Sequence, residues 1–164
     1  MADMLVRLYD LPDVSDAIEE LAEEGIVIRR PQPWELTALR RFIEDHFSTG
    51  WADETTVGFA NKPISVFIAQ EDSRIVGFAA YECTRRNFFG PMGVDETYRK
   101  RGVGGLLTVA CLEAMAQMGY GYAIIGSAGP KDFYAKCCRA TLIEDSEPGI
   151  YCYSRVQHPP EQGD

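Results

Sequence analysis

Apolar positions along the chain switch between a period near 3.6 and a period of two, and the switch points mark its elements. Val14, Ile18, Leu21 and Ala22 share one face of a helix that Asp13 or Ser15 caps and Gly25 stops, with acids opposite. Ile26-Val27-Ile28 reads as a strand, and Arg29-Arg30 leads to a break at Pro31 and Pro33. Pro33 suits the first turn of a second helix, along which Leu36, Leu39, Phe42 or Ile43, and Phe47 keep helical spacing. Gly50 to Pro63 is a loop or a short helix. Ser65–Gln70 and Arg74–Thr84 form two strand-like runs joined by Glu71-Asp72-Ser73, a hairpin signal. A third run, Asn87–Val94, contains Gly90, Pro91 and Gly93, which predicts a bulge or a close backbone approach.

The clearest helix spans Val103 to Met118, with Leu106, Leu107, Ala110, Cys111, Ala114 and Met118 on its buried side and Gly119 at its end. Tyr122–Ile125 reads as a short buried strand, and Ser127-Ala128-Gly129-Pro130 turns into a helix near Lys131–Cys138. Ala140–Ile143 and Ile150–Val156 are expected to close the sheet as two strands around a Glu144–Gly149 loop. The tail from Gln157 is expected to be disordered. The pattern predicts one α/β domain with mixed sheet pairing.

The 164 residues suffice for a core without metal or disulfide staples. Net charge is −9, which argues against a general nucleic-acid partner, since phosphate neutralisation needs a basic face. The first 24 residues hold eight acids against Arg7 alone, so the acidity belongs mostly to one segment. Five cysteines without a C-x-x-C pair, and only His46 and His158 beside them, make a metal site unexpected. Reduced thiols, no leader-like stretch after Met1 and no apolar run of membrane-spanning length predict a cytoplasmic protein with no membrane partner.

The residues with chemistry begin at Arg99-Lys100-Arg101-Gly102-Val103-Gly104-Gly105, between a strand and the longest helix. A turn there aims free backbone N–H groups at one point, and the helix dipole adds positive charge. Such a turn suits a pyrophosphate, although a solvated basic turn would read the same on these residues alone. It has neither Walker nor Rossmann spacing.

The order of elements, the R-x-x-G-x-G turn five residues after Val94, and Phe133-Tyr134-x-Lys136 some 35 residues later resemble the GNAT acetyltransferase superfamily. The resemblance covers about Ile26 to Val156. It implies an α/β (α+β) fold: a mixed, mostly antiparallel twisted sheet flanked by helices, with a splayed parallel strand pair at Asn87–Val94 and Tyr122–Gly126. The implied domain is residues 26–156, with residues 1–25 as an acidic accessory helix and 157–164 as a flexible tail. It implies acetyl-CoA as co-substrate, no metal, and a small-molecule or peptide amine as acceptor, and homodimers are common in the superfamily. Arg99 to Gly105 would hold the pyrophosphate, Met92, Gly93 and Val94 the pantetheine arm, and Tyr134 would protonate the leaving thiolate. Ser127 stands where the family often has Asn, and Cys138-Arg139 where it often has Gly-Phe.

The resemblance also implies an acceptor wall of Phe47, Trp51, Phe59, Phe88, Phe89 and the Glu144–Tyr151 region. Glu82, Glu54, Asp53 or a water relay could serve as general base, and the sequence does not choose among them. His46 reads as a helix-end histidine and Cys137 as an inert thiol. A non-catalytic acyl-CoA-binding module is the alternative to an enzyme.

Overall fold

The computed structural model describes residues 1–153. Seven strands form one sheet: β1 (Met4–Arg7), β2 (Ile26–Arg29), β3 (Val66–Glu71), β4 (Arg74–Tyr81), β5 (Phe88–Val94), β6 (Tyr122–Ile125) and β7 (Thr141–Leu142). Their order is β2-β3-β4-β5-β6-β1-β7, and only β5 and β6 run parallel. Five helices cover it: α1 (Ser15–Glu23), α2 (Leu36–His46), α3 (Thr49–Val57), α4 (Val103–Gln117) and α5 (Lys131–Cys138). This is the mixed, mostly antiparallel α/β fold expected from the sequence, with one parallel pair.

The sheet separates two apolar layers. Beneath α2 and α3, Leu39, Phe42, Ile43 and Ala52 pack on Val66, Ile68, Phe78 and Ala80. On the other side α4 supplies Val103, Leu106, Leu107, Cys111, Leu112 and Met115 against Val76, Ala79 and Tyr81. Helix α4 is buried around most of its circumference because the sheet, α1 and α5 all contact it. That explains its nearly all-apolar sequence.

Local chemistry accounts for the element ends. Asp13 accepts hydrogen bonds from the Ser15 backbone and hydroxyl before α1. Pro33 opens a 3-10 turn ahead of α2, and Gln32 and Glu35 form a reciprocal capping box there. Arg29 grips both Glu35 oxygens, at 2.8 and 2.7 Å, and this pairing holds the Glu35 carboxyl down at about 2.

Two expectations need correction. The first 25 residues contain α1, but ahead of it Met4–Arg7 is a strand of the main sheet, paired with β6 on one side and β7 on the other. The closing strand expected over Ile150–Val156 is instead a 3-10 turn at Ile150–Tyr153, and residues 154–156 lie outside the described residues. In the sheet β1 lies between β6 and β7, the place that a closing strand returning to β6 would take. The Asp3 carboxylate then accepts the Ile150 N–H at 3.2 Å, which turns the chain away from the sheet. The tail from residue 157 also lies outside the described residues.

Candidate active site

Strands β5 and β6 pair only at Phe88 with Ile124 and Phe89 with Ile125. Beyond Phe89 they part, so the edge of β5 from Gly90 to Val94 has no strand beside it on that side. The divergence begins at a bulge. Met92 faces Ala79 and Phe89 faces Tyr81, so Gly90 and Pro91 together oppose the single residue Ala80. A cavity of about 1270 Å³ opens between the parted strands. One wall is Gly90–Val94, and the opposite wall is Ile125–Pro130.

Its floor at one end is the turn before α4. Gly102 adopts φ +81°, a conformation that favours glycine, and a Cβ there would meet nothing within 4 Å. The first intrahelical bond of α4 runs from the Leu106 N–H to the Gly102 carbonyl, so the N–H groups of Val103, Gly104 and Gly105 have no partner in the helix. All three residues line the cavity, as do Arg99 and Lys100. Arg99 is steadied by donating from Nε to the Val94 carbonyl at 3.3 Å. Donors, dipole and two cations converge there, and the approach is unobstructed, so this end fits a pyrophosphate.

Arg101 departs from the expected constellation. It does not line this cavity; its guanidinium lies over the Tyr98 ring and pairs with Glu24 at 3.3 Å and Glu71 at 3.9 Å. Met92, Gly93, Val94 and Ser127 do line it. Ser127 sits at φ +48°, and its N–H donates to the Asp3 carboxylate at 2.7 Å. Gly93 is a point of contact: a Cβ there would run into the Phe47 ring.

Tyr134, on α5, is buried against Phe89 (ring centroids 6.0 Å apart) and Phe133 (5.1 Å), and faces the cavity. Burial first, then the neighbouring thiols of Cys137 and Cys138, push its phenol above the ordinary range. The phenol therefore stays protonated at neutral pH. Cys137 also lines the cavity, and the hydrogen bond with Cys138, then burial, raise its thiol above the ordinary range.

Fewer of the residues expected to wall an acceptor reach the cavity than the resemblance implies. Phe47, Trp51, Phe89 and Tyr151 reach the cavity, whereas Phe59, Phe88 and Glu144–Glu147 do not. Of the three candidate bases, Glu54 is in the wall beside Thr84. Asp53 instead pairs outside with Arg40 at 2.9 Å. Glu82 is engaged by the Asn87 N–H and by the Tyr120 hydroxyl at 3.1 Å. His46 lies against the Phe42 carbonyl and Asp95, away from the cavity. No group of three potential metal ligands occurs among the described residues.

The acetyltransferase (GNAT) domain family matches residues 62–137, the stretch that runs from the hairpin through the glycine turn to α5. A little under half of the chain thus matches a GNAT acetyltransferase domain. Among solved structures, the GCN5-related N-acetyltransferase from Sphaerobacter thermophilus superposes on 87% of this chain and 48% of its own, at 19% identity and a TM-score of 0.68. The GCN5-related glucosamine N-acetyltransferase region of a fungal multi-domain beta-N-acetylglucosaminidase gives 0.69 at 18% identity, over 87% of this chain and 19% of that one. The chain thus spans about half or less of these proteins, and at such identities the likeness concerns the fold. No curated protein matches the sequence with significance.

Proposed function

We propose that the protein is an acetyl-CoA-dependent N-acetyltransferase that moves the acetyl group directly to a primary amine of a small molecule or peptide. One observation carries this reading: a single cavity runs from the first turn of α4, along the open edge of β5, to Tyr134. In this reading Arg99, Lys100 and the N–H groups of Gly102 to Gly105 hold the pyrophosphate. Met92, Gly93 and Val94 accept the pantetheine arm as an added strand, with Ser127 on the facing wall. The coenzyme supplies an acetyl group already activated as a thioester. The protein orients it, and the bulged stretch of β5 offers a backbone N–H to the thioester oxygen. The neutral amine attacks the carbonyl carbon, the C–N bond forms and the C–S bond breaks. The leaving thiolate takes the Tyr134 phenolic proton. All five cysteines are free thiols, which suits a reducing, cytoplasmic setting.

The test is free-thiol release from acetyl-CoA across a panel of primary amines. Turnover with at least one amine, and a loss of roughly 100-fold in kcat for Tyr134→Phe with acetyl-CoA affinity retained, is the expected result. Tight acetyl-CoA binding with no thiol release on any amine would identify a non-catalytic acyl-CoA-binding module instead.

A further inference from the structure

The cavity is electrically divided. Among the described residues its cationic side chains are Arg99, Lys100 and Lys136, and its one side-chain carboxylate is Glu54. Glu54 stands with Thr84 near the Phe89 end of β5, and Arg99 follows the Val94 end. Five residues of strand separate those ends, about 17 Å. An anion held by the glycine turn and a cation held by Glu54 would thus sit at opposite ends of one channel, with Tyr134 packed on Phe89 near the carboxylate end.

What surrounds Glu54 is aromatic. Trp51 lies three residues earlier on α3 and so shares its helix face. Trp51 stacks on Phe47 at 5.4 Å and 28°, and Tyr151 and Phe89 complete the enclosure. The Thr84 hydroxyl donates to Glu54 Oε1, which fixes the carboxyl and leaves its second oxygen for a ligand. Aromatic faces attract an ammonium and accept an apolar body, but they leave the hydroxyls of a hydrated polyol without partners. We infer that Glu54, fixed by Thr84 and walled by Phe47, Trp51 and Tyr151, is the acceptor subsite for a primary ammonium on a compact apolar or aromatic body, and that its carboxylate takes the amine's proton. The inference rests on the acetyltransferase reading above.

The protons balance as follows. The bound ammonium gives one proton to Glu54, which passes it to solvent. The neutral amine then bonds to the acetyl carbon, the thiolate leaves with the Tyr134 proton, and the second nitrogen proton returns through solvent to the phenoxide. Burial raises the Glu54 carboxyl above the usual glutamate range while Thr84 opposes the rise, an adjustment suited to a base that must also release its proton. The titratable groups facing it are the Tyr151 phenol and the Cys83 thiol, both pushed up mainly by burial, and the Arg85 guanidinium lies 5.3 Å from the Tyr151 ring.

The experiment uses the full chain carrying Trp34→Phe, a change at a highly exposed position that leaves Trp51 as the one fluorophore of its kind. Phenethylamine is titrated without coenzyme and Trp51 emission is followed. Saturable binding is expected, at least ~10-fold tighter than for the neutral analogue 2-phenylethanol, with Glu54→Gln abolishing that preference while leaving the alcohol's affinity unchanged. In turnover Glu54→Gln should lower kcat/KM by roughly 100-fold and remove the acidic limb of the pH profile, and Glu54→Asp should restore part of both. Equal affinity for amine and alcohol, or an unaltered pH profile in Glu54→Gln, would overturn the inference. Thiol release with glucosamine but not phenethylamine would also overturn it and leave the acetyltransferase reading standing. Glu54-dependent amine binding with no thiol release on any amine would leave the subsite standing and remove the reaction.

Discussion

The Ser127 backbone N–H donates to the Asp3 carboxylate at 2.7 Å across 124 positions of sequence. Asp3 is 8% exposed and also accepts the Ile150 N–H at 3.2 Å, so one carboxylate ties the first strand, the wall of the cavity and the 3-10 turn together. Asp3→Ala leaves those two donors without their partner. It is expected to cost about 2–4 kcal/mol of stability in urea unfolding. Because Ser127 lines the cavity, the KM for acetyl-CoA should rise more than kcat falls.

Gly93→Ala sets a methyl group against the Phe47 ring. The expected loss is ~1–3 kcal/mol in thermal unfolding, and adding Phe47→Leu should recover much of it. A double-mutant cycle on these two positions checks the contact. Purely additive losses would mean that the ring yields without cost.

The three basic residues of the turn should separate cleanly. Arg99→Ala and Lys100→Ala are each expected to weaken coenzyme A binding by roughly 10-fold and to flatten its salt dependence. Arg101→Ala should change the affinity by less than about twofold, because its guanidinium is committed to Glu24, Glu71 and Tyr98. Calorimetric titration at two salt concentrations distinguishes the three.

Glu35 gives the fold a pH signature. Its carboxyl is held down at about 2 by Arg29, below the roughly 4.3 of an unfolded glutamate. A depressed carboxyl stabilises the native state fully above the unfolded value, and the contribution fades as pH falls through the interval towards 2. Glu35→Gln should therefore be less stable than the parent by ~1–2 kcal/mol at pH 7, with the gap narrowing below pH 4. Urea midpoints at pH 7 and pH 3 measure it.

The elements that were legible in the sequence are those whose local signals agree. The β3–β4 hairpin announces itself by alternation and a short polar turn. Helix α4 does so through its apolar length between Gly102 and Gly119, and the glycine turn follows from its place just before that helix, whereas Tyr134 is singled out by the family resemblance alone. Strand β1 was not legible: Met4–Arg7 is four residues long, beside a run of acids, and its partners come from residues 122–125 and 141–142. The apolar rhythm of Ile150–Val156 points to a strand, but the place between β6 and β7 belongs to β1. Which of Glu54, Asp53 and Glu82 lines the cavity was equally hidden, because Arg40, Tyr120 and Thr84 position them from three distant parts of the chain. Arg101 was misread for the same reason. A basic residue in a basic turn gives no hint that acids on α1 and β3 will take it.

Strand β1 has a further consequence for the order of assembly. Strands β2 to β5 lie in sequence order and need nothing from residues 4–7, so half of the sheet can form within residues 26–94. The other half joins residues 4–7 to residues 122–125 and 141–142, so the first strand must wait until most of the chain is available. The cavity wall at Ser127 is fastened by that last step. A chain lacking residues 3–7 would hold a nearly complete hairpin layer and still lack a closed channel, so these few residues couple sheet completion to the shape of the cavity.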